Sequence, residues 1–573
     1  MISRPFLAAV AVILVALLPS SARPLMATVP TPDGEGGAPA SRTLTIGVND
    51  FPGNFNPLIE SQGIRDYVVW MAQRPLTAFT PDWELTCVLC TELPTVRNGR
   101  IQEERLPDGD TGVAVRYTLL PDLRWGDGTP VTTRDVVFTW QVGRHPDIGS
   151  NAYDVFARDI RSVEVVDDRT FIVHRRHRSC AAAQLNEMVL LPAHLERKAF
   201  ESDPATYRIN SRYEADVTDP GLWLGPYRLA AVETGKTIQL ERNPHWNGRQ
   251  PYFDRIVVRT LDRSAELERA LLAGEVDYVS GEHGFSVHQS SQFERHYGFR
   301  FAVFWMQGLG YRHLDVNHDN PILADVRVRR ALLLGLDRDT MNERLYYGRN
   351  VIADTDTNPL DGIRDPDVRR HAYDPAGAMR LLEEAGWRPG PDGIRVDAAG
   401  HPLEVDLWAG KGDRTVDLEL QIIQENWRRI GVRMVPRQTV ARVLFGEILP
   451  QRRFSGLALF SWITAPREIP RSVLHSSQIP SAENGWSGLN YGGYRNPGLD
   501  RVLDDLERVC EPEANRALWS RLQHLYADDL PALPIFHMAN AYFFPPWLKG
   551  VVPTGHQFAS SMAVENWYRE DVP

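Results

Sequence analysis

An α/β architecture with more than one sheet is the fold class that this sequence predicts. Three observations predict it. Period-2 and helical apolar patterns alternate along the chain instead of segregating. The helical stretches open on explicit caps and close on glycine. The length is 573 residues, with 43% hydrophobic and 24% charged residues, which at roughly 100–200 residues per domain supplies about three or four domains' worth of core.

Taken in order, Leu44, Ile46 and Val48 alternate with Thr43, Thr45 and Gly47, the pattern of a strand entering a packed sheet. Residues 239–241, 256–258 and 403–407 read as further strands, and 265–273 and 418–430 as helices. At Asp374-Pro375 an N-cap carboxylate precedes proline at the first helical position. Ala378, Leu381, Leu382 and Ala385 then recur at helix spacing until Gly386. Asn496-Pro497 opens another helix in the same way, with Leu499, Val502, Leu503 and Leu506 on one face. Turn-rich stretches at 94–110 and 354–366 read as surface loops, and no internal repeat is visible.

Lys and Arg total 63 against 74 Asp and Glu, a formal net charge of −11, and the basic residues are scattered. Nucleic acid is therefore not an expected partner. At the start, Arg4 precedes an apolar run from Phe6 to Leu18 and the small residues Ser20, Ser21 and Ala22. Residues 1–22 read as a secretory signal peptide, since the run falls short of the roughly 20 residues that span a bilayer. No cysteine follows, so a lipid-anchored form is not expected, and 23–40 reads as a flexible leader rich in Pro, Gly, Ala and Thr. The four cysteines, Cys87, Cys90, Cys180 and Cys510, are too few for a disulfide scaffold. Cys87 and Cys90 suit a local bridge better than a zinc or redox pair, because no second ligand pair follows and no helix opens there; the pairing as a whole stays open.

A secreted hydrolase is the natural competitor, and its motifs are missing. Gly284-Phe285-Ser286-Val287-His288 departs from the nucleophile elbow at its last position, and His194-Leu195-Glu196 suits the start of a solvated helix after Pro192. Phosphate-loop and dinucleotide fingerprints are absent, and the histidines lack metal-ligand spacing, so neither cofactor nor metal is expected. Aromatics are abundant: 15 Trp, 18 Tyr and 21 Phe, with Trp305, Trp408, Trp462, Trp486 and Tyr491 near polar or glycine-rich turns, as in the walls of a ligand pocket.

Residues 117–138 hold a strand, the tight Asp127-Gly128 turn, and Thr132 or Thr133 capping a helix that buries Val136, Val137 and Phe138. The string Leu123-Arg124-Trp125-Gly126-Asp127-Gly128-Thr129-Pro130 resembles the signature of family 5 extracellular solute-binding proteins, the peptide- and nickel-type receptors of ABC importers. Leu224-Gly225-Pro226-Tyr227, Glu241-Arg242-Asn243-Pro244, Ala273-Gly274-Glu275-Val276-Asp277 and Val326-Arg327-Val328-Arg329-Arg330-Ala331 match further family motifs in order. His475-Ser476-Ser477-Gln478 and Asn484-Gly485-Trp486-Ser487 resemble a peptide-binding subgroup, and Pro531-Ala532-Leu533-Pro534-Ile535 the strand returning to the first lobe.

The resemblance implies a two-lobed periplasmic binding protein with a subdomain inserted in the first lobe. On it the first lobe takes 41–80, 205–300 and 530–573, the insertion 81–204, and the second lobe 301–529. It also implies a monomeric, non-enzymatic periplasmic receptor that closes on a peptide-like solute and docks on an inner-membrane permease. An oligosaccharide, a nickel complex or an opine-like compound is the alternative solute. In peptide-binding members an Asp shortly after a Trp pairs with the peptide's amino terminus, whereas here Thr464 or Ala465 follows Trp462. A cleft walled by Trp305, Trp408, Trp462, Trp486 and Tyr491, with neutral hydrogen bonds from Thr464 and Asn490, is therefore expected, and N-acetylation of a bound peptide should change affinity little. Glu468, which could replace the missing Asp, reads better as a surface residue beside Arg467.

The mature protein is expected to begin near Arg23. N-terminal sequencing of the exported fraction checks this; an intact apolar run on a membrane-bound form would contradict it.

Overall fold

The computed structural model describes residues 42–59, 62–107, 109–261, 263–463 and 465–570. The signal-peptide and leader segments and Thr464 lie outside the described residues. Eleven strands form one large sheet, and four form a second. Along the large sheet the order is Arg433–Thr439, Glu404–Gly410, Leu457–Ile463, Ala302–Val316, Ala532–Phe544, Tyr278–Val279, Thr43–Val48, Arg255–Thr260, Thr237–Arg242 and Tyr227–Glu233, with Val351–Ile352 added beside Ala532–Phe544.

The local signals explain these elements. Leu44, Ile46 and Val48 are fully buried in Thr43–Val48, which pairs in parallel with Arg255–Thr260. Asp374 Oδ1 accepts from the Gly377 N–H at 2.8 Å to start the helix Pro375–Glu384, and Gly386 leaves the chain at φ +97°. Asn496 Oδ1 accepts from Gly498 and Leu499 at 2.8 and 3.2 Å, opening Pro497–Arg508 with its four predicted apolar residues buried. Thr132 is the cap of Thr133–Gly143, in a reciprocal box with Asp135. Val136 and Phe138 are buried there, while Val137 is only half-buried.

Two expectations need correction. The stretch 94–110 contains the strand Ile101–Arg105, which is mostly polar because it lies at the edge of the four-stranded sheet. Glu196, expected on a solvated helix, is fully buried. Its oxygens accept from the Tyr207 hydroxyl and from the Arg212 N–H, at 2.5 and 2.7 Å.

The three largest of five cores among the described residues organise the rest. The first joins Thr43–Val48 and its neighbours to the four-stranded sheet and to 548–567. The second packs Leu314, Leu407, Leu457 and Ile535 against helices around Trp427. The third sets Tyr311 and Leu474 against Pro497–Arg508 and Pro512–Asp529.

Ala302–Val316 and Ala532–Phe544 run from one half of the large sheet into the other. Val303 and Phe304 pair beside the half that contains Tyr278–Val279, whereas residues 311–316 pair with Leu457–Ile463. Between Gln307 and Tyr311 the register shifts, so that four residue steps on one strand answer two on the other, from Ala539 to His537. Such a break frees backbone groups from the ladder. Asn358, buried, donates from Nδ2 to the Gly308 carbonyl at 2.8 Å, and buried Asn350 accepts the Ala539 N–H at 3.0 Å.

The cysteines pair as Cys87–Cys90, within the hairpin region as the spacing suggested, and as Cys180–Cys510. No helix among the described residues is long and apolar enough to cross a membrane.

Replacing Asn350 by alanine leaves the Ala539 N–H buried without its acceptor. A loss of about 1–3 kcal/mol in unfolding free energy is expected by urea denaturation; an unchanged midpoint would show that this bond is not needed at the crossing.

Candidate functional site

A cavity of about 200 Å³ lies against one face of the crossing strands. Strand alternation puts Tyr311, His313 and Asp315 on that face, whereas Arg312 points to the other, where it pairs with fully buried Glu419. Opposite Tyr311 in register stands Trp462. The rings form a ladder: Tyr311 on His313 at 4.9 Å and 4°, His313 with Trp462 at 6.4 Å and 11°, and Trp462 with Tyr491 at 5.8 Å. The Tyr311 hydroxyl is fixed by that of Tyr526 at 2.7 Å.

Residues 354–363 and 465–474 close the sides. The lining includes the carboxylates Asp315, Asp356, Asp361 and Glu468, and no Lys or Arg among the described residues. Burial is the main cause that pushes the Asp356 carboxyl up to about 6. Its own backbone N–H and His313 oppose the shift, and Glu468 adds to it. Burial likewise raises Asp361, against hydrogen bonds from the backbone N–H groups of Arg467 and Ile363 at 2.7 and 3.3 Å. Desolvation raises Glu468 too, opposed by the Ala465 N–H at 2.8 Å. His313 is fully buried, with Nδ1 donating to the Tyr311 carbonyl at 3.1 Å and Nε2 at 3.5 Å from Asp315.

The sequence-predicted residues are only partly brought together. Trp462 and Asn490 line the cavity, and Tyr491 is buried behind Trp462. Asn490 is spent on its own loop: Oδ1 accepts from the Tyr494 N–H at 3.0 Å, and Nδ2 donates to the carbonyls of His475 and Tyr494 at 3.1 and 3.0 Å. Trp305, Trp408 and Trp486 are absent from the cavity wall. Trp305 donates to Glu294 at 3.0 Å and lies under the Arg349 guanidinium, 4.7 Å from its ring centre. Trp408 packs beside Phe460 and Tyr491, and Trp486 stands exposed in a left-handed turn at φ 63°. Thr464 is not among the described residues.

The expectation of a wall offering only neutral groups is thus not met, because carboxylates arrive from segments far apart in sequence. Glu468 is exposed, as expected, and also lines the cavity, with Oε2 accepting from the Ala465 N–H of its own loop. Its neighbour Arg467 reaches away, to Glu84 at 2.7 Å. Tyr311, His313 and Asp315 went unrecognised from sequence, although the alternation of His313 and Asp315 with Leu314 and Val316 could have placed them on one strand face; Asp356, in a turn-rich stretch, carries no such signal.

Compared with known proteins, residues 108–473 match the profile of "Bacterial extracellular solute-binding proteins, family 5 Middle". The chain belongs to this family. The oligopeptide-binding protein AppA of Bacillus subtilis is 22% identical over 470 residues, covering 81% of this chain and 82% of that one. The periplasmic oligopeptide-binding protein OppA of Escherichia coli is 23% identical, over 79% and 81% of the two chains. The oligopeptide-binding protein of Thermus thermophilus, solved with a pentapeptide, superposes with a TM-score of 0.70 at 24% identity, covering 92% of this chain and 96% of that one. NikA of Brucella suis, solved with Fe(III)-EDTA, gives 0.75 at 19%, covering 92% and 100%. Family 5 members are solute-binding receptors, and this chain has their two-lobed α/β fold.

Burial raises the folded pKa of Asp356 from the ordinary carboxylate value of about 3.9 to about 6, so the folded state holds the extra proton between those values. The contribution of Asp356 to stability is therefore full below about pH 4 and lost as pH rises through about 6. Asp356→Asn should gain stability over the parent at pH 7 and much less at pH 4.5, read by chemical denaturation at both pH values; a pH-independent difference would contradict the assignment.

Proposed function

We propose that this chain is the periplasmic capture subunit of an ABC importer and that its solute is peptide-like and carries a positively charged group. The observation that carries the charge is the cavity lining: Asp315, Asp356, Asp361 and Glu468 with no Lys or Arg among the described residues, in walls of Tyr311, His313 and Trp462. A desolvated carboxylate gains most from an ionic partner, and stacked rings favour a cation over their faces. The amino terminus of a peptide, or a Lys or Arg side chain, supplies that partner. The family's usual Asp after the Trp is replaced here by Ala465 or by Thr464, and Asp356 and Glu468 take over its charge from neighbouring loops. N-acetylation is accordingly expected to weaken a peptide whose amino terminus is the seated cation, reversing the expectation drawn from sequence.

The peptide class is supported by AppA and OppA, whose names describe oligopeptide binding. On this reading the first lobe comprises 41–80, 205–300 and the C-terminal segment, and the insertion 81–204 contains the four-stranded sheet. The chain then passes between lobes inside the two long strands, at 307–311 and 537–539. Closure of the lobes presents the loaded form to a permease, and the protein acts as a monomer without catalysis.

Mass spectrometry of the solute that co-purifies with the exported protein should return a cationic compound. Calorimetry with that compound should show at least a tenfold loss of affinity, about 1.4 kcal/mol, for Asp356→Asn. A neutral or anionic solute, or unchanged affinity, would overturn the charge assignment.

A further inference from the structure

We propose that the Cys180–Cys510 disulfide is a redox-sensitive latch that ties the subdomain inserted in the first lobe to the second lobe, which carries the solute cavity. Its ends belong to different bodies. Cys180 follows the strand Thr170–Arg175 of the four-stranded sheet, and its segment is fastened to the first core. The Tyr117 hydroxyl donates to the Ala183 carbonyl at 3.0 Å, the Arg175 guanidinium donates to the Gln184 carbonyl, and Ala182 and Leu185 are buried there. Cys510 sits in the turn between Pro497–Arg508 and Pro512–Asp529, whose Leu503, Leu506 and Trp519 pack with Tyr311 and Leu474 beside the cavity. The bridge thus spans 330 residues of sequence and adds a third covalent connection to the two crossing strands.

Its reach limits motion. The Cα atoms stand 5.0 Å apart, and a disulfide tolerates at most about 6.8 Å, so the lobes can part there by no more than about 2 Å while the bond stands. Other contacts between the lobes include Cys180 N–H to the Glu507 carbonyl at 3.2 Å, the exposed Arg467–Glu84 pair at 2.7 Å and the Arg349–Glu294 pair at 2.5 Å, none of them covalent. Cys87–Cys90 joins two nearby residues packed on the first core and restrains nothing between the lobes. Both latch cysteines are exposed, so a thiolate can reach them. The thiolate of a dithiol attacks one sulfur and the other leaves as cysteine thiolate. The reagent's second thiolate then attacks its own first sulfur in the mixed disulfide and expels the remaining protein cysteine as thiolate, leaving two protein thiols and the reagent's cyclic disulfide. An oxidised dithiol runs the exchange backwards.

The inference rests on the reading that the lobes open and close, and the experiment separates the two. Small-angle scattering is recorded on the solute-free full chain with its disulfides intact, in dithiothreitol, as Cys180→Ser, and as Cys87→Ser/Cys90→Ser. The intact protein and the Cys87→Ser/Cys90→Ser variant should keep a compact radius of gyration. Reduction of either, or Cys180→Ser, should shift the radius upward. An intact protein that already shows the larger radius of the reduced form overturns the latch and leaves lobe opening standing. A compact radius in every sample overturns both. Dithiothreitol on the parent chain carries the test should Cys180→Ser fail to fold.

Discussion

The two halves of the large sheet communicate through a register break. Ala302–Val316 and Ala532–Phe544 cross together, and where Gln307–Tyr311 outruns Ala539–His537 the ladder leaves the Gly308 carbonyl and the Ala539 N–H to other partners. Asn358 and Asn350 satisfy them from buried positions. A continuous ladder would resist bending as a unit, whereas a break bridged by side chains concentrates deformation in a few residues. Glycine suits this spot for a steric reason: a Cβ on Gly308 would stand 2.8 Å from Asn540 Nδ2, and one on Gly310 3.3 Å from the Met538 side chain. Asn358 also lies two residues from Asp356 in the loop that walls the cavity. The geometry of the crossing and the position of a cavity carboxylate therefore share a hydrogen bond.

Much of this was legible in the sequence wherever a signal is local. Alternation located Thr43–Val48, and the caps at Thr132, Asp374 and Asn496 located three helix starts, because one side-chain oxygen and one or two backbone N–H groups decide each. The polar edge strand Ile101–Arg105 escaped notice because Ile101 is its single apolar residue, too little to set a period. The site was less legible for the same reason. Trp305, Trp408 and Trp486 look alike in sequence, yet one stacks under Arg349, one fills a satellite core and one faces solvent. Asn490 looks like a ligand-binding amide, but four backbone atoms, two of Tyr494 in its own turn and the carbonyls of Leu474 and His475, occupy it. Asp356 and Glu468 acquire their meaning only when loops about a hundred residues apart meet over Trp462.

The cavity's chemistry follows from what each side of the crossing sheet does with charge. On one side Arg312 meets Glu419, with the Tyr346 hydroxyl donating to the same carboxylate at 2.9 Å, so that the buried charges are internally matched. On the cavity side Asp315 has only His313 at 3.5 Å, and Asp356 has no cation of its own among the lining residues. Unmatched carboxylates in a desolvated wall are costly, and the protein lowers that cost by letting Asp356 hold a proton up to about pH 6. On the proposed reading of a cationic solute, a proton and the solute's charge compete for one charge deficit. By linkage, the factor by which protonation of Asp356 lowers the affinity of the cavity for a cation equals the factor by which the bound cation lowers the affinity of Asp356 for the proton. The rings of Tyr311 and Trp462 do not share this dependence, because contact with them is insensitive to the protonation of the carboxyl. A solute that engages both elements draws its hold from a pH-independent face and a pH-dependent charge, and the charge is the part that discriminates it from neutral molecules of the same shape.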